Sequence, residues 1–103
     1  VPHQFDIFVN PVASRKSVPF LLVVQNDLLS DTDAVLCAPL IPRGAFPVTQ
    51  GLNPSIPVEG IPHVLVPDQM APLPRRMLKT RVESAGAHRD AVARAIDLLF
   101  FGI

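Results

Sequence analysis

The chain has 103 residues, 49% of them hydrophobic and only 17% charged, and its nine Lys and Arg balance nine Asp and Glu. A net charge near zero argues against a surface held mainly by nucleic-acid phosphates. The length suits a single domain spanning 1–103, without room for a separate catalytic domain, and the single cysteine excludes an intrachain disulfide and fits a reducing cytoplasm. No apolar run reaches the ~18 residues of a transmembrane candidate, and no basic then apolar leader is visible. A cytoplasmic protein without a membrane partner is therefore expected. High hydrophobic content with little charge predicts exposed apolar surface, which a homodimer would cover.

In chain order, Gln4-Phe5-Asp6-Ile7-Phe8-Val9 alternates as a strand with one buried face. Residues 10–17 read as a loop. The continuous apolar run Phe20 to Val24 reads as a central strand covered on both sides. Ser30 to Asp33 is a turn, and Ala34 to Ala38 is a third strand, ended by Pro39 and Pro42. Residues 39–74 carry nine of the twelve prolines. Proline lacks the ladder N–H, so strands there must be short, edge-like or bulged; Ile56 to Val58, His63 to Val66 and Met77 to Val82 are the candidates. The whole reads as a small bent antiparallel barrel over about 4–83, followed by a helix over about 87–101.

The helix has a clear pattern. Val92, Ala95, Ile96, Leu99 and Ile103 share one face, which Phe100 widens. Arg89, Asp90, Arg94 and Asp97 lie on the other side, with Asp90 and Arg94 spaced for an ion pair. Phe101 falls on that charged face, where an exposed Phe forgoes roughly 1.5–3 kcal/mol of burial. Either the last turn unwinds at Gly102 and Phe101 folds back, or Phe101 anchors a partner.

Signals for chemistry are sparse. His3, His63 and His88 lack metal-ligand spacing. Asp27, Asp31 and Asp33 lack the Gly and terminal Glu of a calcium loop and read as turn carboxylates. Cys37, inside an apolar strand, reads as a small hydrophobe. Arg75, Arg76, Lys79 and Arg81 form the one basic concentration; a strand over 77–82 would put Lys79 and Arg81 on one face as edge-blocking charges. No phosphate loop, cysteine pair or nucleophile triad is present, so neither a metal nor a cofactor is expected.

The ending Ala95-Ile96-Asp97-Leu98-Leu99-Phe100-Phe101-Gly102-Ile103 resembles that of the CcdB toxins, which reads Ala-Ile-Asn-Leu-Met-Phe-Trp-Gly-Ile. Gln4-Phe5, Val24-Gln25-Asn26-Asp27-Leu28-Leu29, Pro39-Leu40, Met70-Ala71-Pro72-Leu73-Pro74 and His88-Arg89 extend the likeness in register, and 41–66 is weakly similar. The resemblance implies a mainly β fold with a C-terminal helix: an SH3-like five-stranded antiparallel barrel with a small inserted sheet, dimerising through the barrel. It implies a toxin–antitoxin toxin that is not an enzyme, binds the GyrA subunit of DNA gyrase and traps its DNA-cleaved state, without contacting nucleic acid itself. It puts the gyrase contacts on Phe101, Gly102, Ile103, Asp97, Leu28 and Leu29, and implies a CcdA-like antitoxin, a homodimer and a role in plasmid maintenance. Phe101 for Trp and Asp97 for Asn are departures from the pattern. Two other readings share the fold: a ribonuclease like MazF and Kid, using Arg75, Arg76 or Arg81, and a non-toxic homologue that only dimerises and binds antitoxin.

Overall fold

Seven antiparallel strands and a C-terminal helix appear among the residues described by the computed structural model, which are 2–12, 16–45 and 47–102. The strands are β1 (Asp6–Val9), β2 (Phe20–Val23), β3 (Ala34–Pro42), β4 (Ser55–Val58), β5 (Ile61–Leu65), β6 (Ala71–Pro74) and β7 (Arg81–Ser84); helix α1 is Arg89–Phe101. They form one curled sheet in the order β4-β5-β3-β2-β1-β7, with β6 also paired to β3. The fold is thus mainly β, a half-barrel with a C-terminal helix, as expected. The β4–β5 hairpin and the end of β3 form its outlying part.

Strand β3 differs most from its sequence reading. It runs through Pro39 to Pro42 rather than ending at Ala38. Its first half, Ala34 to Cys37, pairs with β6, and its last residues, Leu40 to Pro42, pair with β5. Pro39 sits between the two partners. The C=O of Pro39 accepts from Val66 N at 2.9 Å, so its missing N–H falls on the side where one partner gives way to the next. No ladder bond is lost there, which is why the proline is tolerated inside a strand.

Strand β6 carries prolines at alternate positions and did not read as a strand in sequence. Pro72 lies opposite Leu36. Leu36 directs its N–H to Gln25 Oε1 (3.2 Å) and its C=O to Val24 N (3.0 Å), both on the β2 side. Pro72 and Pro74 therefore turn their ring nitrogens to the outer edge. The expected strand over 77–82 is displaced. Arg75–Met77 is a single 3-10 turn and β7 begins only at Arg81. Arg75 N donates to Asp33 O at 2.8 Å, which ends β6 and lets Leu78 plug the lower core at 7% exposure.

Both faces of the sheet are apolar. Ile7, Leu22, Val24, Ala38, Leu40, Ile56, Val58 and Leu65 pack with Val92 of α1. Phe8, Leu21, Val23, Val35, Cys37 and Leu78 form a second cluster, flanked by Val18 and Leu73. Strand β2 is thus covered on both sides, as its unbroken apolar run predicts. Strand β1 has the same double coverage rather than one buried face: Asp6, Ile7 and Phe8 are all buried. The Asp6 carboxylate accepts from Arg81 Nε and from His3 N, both at 3.0 Å. Arg81 is thereby an ion-pair partner to the core, and Lys79 lies before the strand.

The curl is closed by a hairpin tip. Glu59 and Gly60 link β4 to β5 with φ of 51° and 78°. Two positive φ values in a two-residue loop are the pattern of a type I′ turn. The Glu59 N–H donates to Glu83 Oε2 of β7 at 2.6 Å, joining the two ends of the sheet order. Asn suits the first position of such a turn better than Glu. Glu59→Asn keeps the backbone donor and is expected to raise stability by ~0.5–1 kcal/mol in urea denaturation; a loss would show that the Glu59 side chain itself supports the turn.

Candidate partner-binding surface at the end of the helix

Helix α1 follows a 3-10 turn, Gly86–His88, and starts at Arg89, two residues beyond the sequence boundary. It has no side-chain N-cap; its anchorage is lateral. Val92 and Ala95 are buried, with Ala91, Ile96, Leu98 and Leu99 half-buried around them. Leu98, not placed on the packing face by sequence, lies against Gly51: a Cβ there would stand 3.3 Å from its Cδ2. Arg89 stacks 5.9 Å from the Phe5 ring. Phe5 holds a positive φ of 71°, uncommon for a bulky residue, and is fixed by its N–H to Val23 O and by Ala85 N to its own C=O, both 2.8 Å. The Asp90–Arg94 pair does not form; both side chains are exposed, where such pairs contribute little.

The helix stays helical through Phe101. Gly102 then takes a left-handed φ of 73°, and its N–H caps Leu98 O at 3.0 Å, a glycine stop that a Cβ would strain. Phe101 does not fold back: it is 73% exposed. Phe100 corrects the sequence reading. It is 62% exposed instead of widening the core face. At 100° per residue it stands about 140° round from Ala95, past the edge of the packed stripe. The two rings lie 6.5 Å apart and tilted by 54°, forming an aromatic tip. Ile103, the remaining tail residue, lies outside the described residues.

One turn back, Asp97 is exposed on the rim of a cleft of about 290 Å³ between α1 and the start of the sheet. Phe5, Val24, Val92 and Ile96 give its apolar lining, and Gln4, Asn26 and Asp97 its polar one. Asn26 caps the 3-10 turn Asp27–Leu29, accepting from Leu28 N at 2.8 Å. Leu28 and Leu29 leave that turn 90% and 53% exposed. The cleft thus links Asp97 to the segment bearing Leu28 and Leu29, while the aromatic tip projects beyond it.

His63, His3 and Asp27 serve structure. His63 is buried, with Nδ1 2.8 Å from Ile61 O and its ring edge-on to Phe20 at 5.3 Å. Asp27 accepts from Gln4 N at 2.7 Å and meets His3 Nδ1 at 3.4 Å, tying the start of the chain to its own turn. Among the described residues, no group of three or more His, Cys, Asp or Glu could hold a metal ion, and no helix is long and apolar enough to cross a membrane.

This is a small curled-sheet protein with an apolar-tipped C-terminal helix beside an apolar cleft. A family model described as CcdB protein matches residues 4–102. The chain belongs to the CcdB family, the toxins of toxin–antitoxin pairs, and an antitoxin is the general class of its partner. A search of curated proteins finds no match.

Cys37 is buried among apolar side chains, and burial pushes its thiol from 9.0 up to about 12 against the opposing pull of Arg75. The reactive thiolate is thus suppressed at neutral pH. A disulfide reagent at pH 8 is expected to label Cys37 only after unfolding. Between pH 9 and 12 the folded thiol keeps a proton that the unfolded chain loses, so this contribution to stability is present below pH 9 and falls as pH rises. Cys37→Val should flatten that fall in urea titrations; rapid native labelling would show the strand opening.

Proposed function

We propose that the chain poisons DNA gyrase by binding the GyrA subunit and holding the DNA-cleaved complex, acting as a binding protein with no catalysis or cofactor of its own. The observation that carries this reading is the exposed tip, with Phe101 73% exposed at the last helical position. Aromatic anchors dominate many interfaces, and a ring stacked on a guanidinium contributes ~0.5–2 kcal/mol. Gly102 lets the partner approach the backbone closely. Asp97 and the Leu28–Leu29 pair supply the flanking contacts.

Phe101 offers no indole N–H, and Asp97 adds a negative charge where the family carries an amide. The grip on GyrA then rests on stacking and on a basic group facing Asp97. Two of the three arginines that a ribonuclease would recruit are already engaged: Arg75 on backbone carbonyls, Arg81 on Asp6. This favours binding over RNA cleavage. A CcdA-like antitoxin, disordered until it wraps the toxin, suits reversal of such a complex. The same proposal includes a cytoplasmic homodimer, which would cover part of the exposed apolar surface.

Expression without antitoxin is expected to arrest growth and break DNA. Deleting 101–103 should abolish both while lowering the melting temperature by no more than about 8 °C, since Phe101 is exposed and the Gly102 cap on Leu98 O is a single hydrogen bond. Phe101→Ala should weaken binding to a GyrA dimerisation-region fragment ~30-fold or more. Full toxicity of the truncated chain would remove the tail mechanism, and cleavage of RNA by the purified protein would replace it.

A further inference from the structure

The segment that carries Leu28 and Leu29 outward is unusually well tied for a surface loop. Its own residues supply part of the bonding: the Thr32 hydroxyl lies 2.9 Å from Leu29 O and 2.8 Å from Ala34 O. Gln25, two residues beyond β2, reaches Leu29 O at 3.2 Å and Thr32 Oγ1 at 3.1 Å through its amide nitrogen. Its carbonyl accepts from Leu36 N at 3.2 Å, which fixes the amide in that orientation. A third clamp comes from far along the chain. Arg75 Nε donates to Thr32 O at 2.9 Å, and Nη2 lies 3.3 Å from both Leu29 O and Thr32 Oγ1. The Arg75 backbone N–H holds Asp33 O at 2.8 Å, seating the side chain over the loop.

Leu29 O is the point where Gln25, Thr32 and Arg75 converge. It belongs to one of the two leucines in question, and none of those three side chains is apolar. A loop with no buried residue in its 3-10 turn has no core packing to hold it, so polar ties set its shape. The planar guanidinium spans two backbone carbonyls in one fixed geometry, which a lysine amine on a flexible stem does not reproduce.

We propose that Arg75 is a positioning residue for partner recognition: it acts through the loop, holding Leu28 and Leu29 in their outward arrangement so that binding incurs little ordering cost. This rests on the reading of GyrA as the partner. A preformed surface gains affinity by avoiding the entropy of immobilising it.

The test is a double-mutant cycle on binding to the GyrA dimerisation-region fragment, with folding followed by circular dichroism. Arg75→Ala is expected to lower affinity about 5- to 20-fold and to speed amide exchange at Thr32. Arg75→Lys should restore little of it. Arg76→Ala, which removes the same charge from an exposed neighbour, should change affinity less than about twofold. In the Leu28→Ala/Leu29→Ala background, Arg75→Ala should cost nothing further, because its route through the leucines is gone. Thr32→Val, which removes the hydroxyl facing both Gln25 and Arg75, carries the same cycle if Arg75→Ala does not fold. An unchanged affinity for Arg75→Ala, or an equal loss in the leucine-free background, overturns the positioning role while leaving GyrA as the partner. Failure of the unmutated protein to bind the fragment overturns the partner, and this inference with it.

Discussion

Strand β3 bonds to three other strands, and Pro39 marks where one partner on its outer side ends and the next begins. On its inner side β3 pairs continuously with β2 through Phe20–Leu40, Leu21–Pro39, Leu22–Ala38 and Val23–Cys37. On its outer side it changes from β6 to β5 across Pro39. A residue with a backbone N–H there would present a donor to a gap between strands, whereas proline presents none. The sheet can therefore curl around β3 without an orphaned group. The hairpin β4–β5 is thrown across toward β7, where Glu59 meets Glu83. The seat of α1 depends on this curl, because Leu40, Ile56, Val58 and Leu65 together make the floor on which Val92 sits.

That floor also decides where the helix stops being part of the core. Val92 and Ala95 are buried, Leu99 is half-buried, and Phe100 and Phe101 stand in solvent. The change comes within two residues because the packed seam is narrow and the helix axis carries the next side chains past it. Gly102 then ends the helix by a backbone cap rather than by packing. A helix stopped by its own backbone needs no tertiary contact in its last turn, which leaves the aromatic tip available.

Elements with regular hydrophobic periods were legible in sequence: the doubly covered β2, the hairpin strands, and α1 with Phe101 on its outer side. The family ending, Phe-Gly-Ile after Ala-Ile-Asp, identified the class. The effect of a proline depends on which way its ring nitrogen points, and no local pattern records that direction, so the sequence pattern shortens β3 and hides β6. Phe100 was misplaced because a helical wheel gives angular position without the edge of the floor. In sequence Arg75 reads as one of a basic cluster and as a candidate for the ribonuclease alternative, not as a loop tie. Its tie to Thr32 spans 43 residues, and nothing local marks it; the polar run Gln25-Asn26-Asp27 before two leucines was the available hint of a capped turn.

A chain without net charge that displays leucines and phenylalanines invites indiscriminate association, and the strand edges show how that is countered. Pro57 and Pro62 face each other across β4 and β5. Neither could donate between the strands, so Pro57 turns its nitrogen to the free edge of the terminal strand. Pro72 and Pro74 do the same on β6. Donors are thereby missing where an extended chain would add to the sheet. On these two edges backbone pairing, which is indifferent to sequence, is disfavoured. What remains adhesive is side-chain surface, including Leu28, Leu29, Phe100 and Phe101, whose contacts discriminate by shape. On the β4 and β6 edges, the same prolines that break the strands thus shift adhesion toward surfaces that can choose a partner.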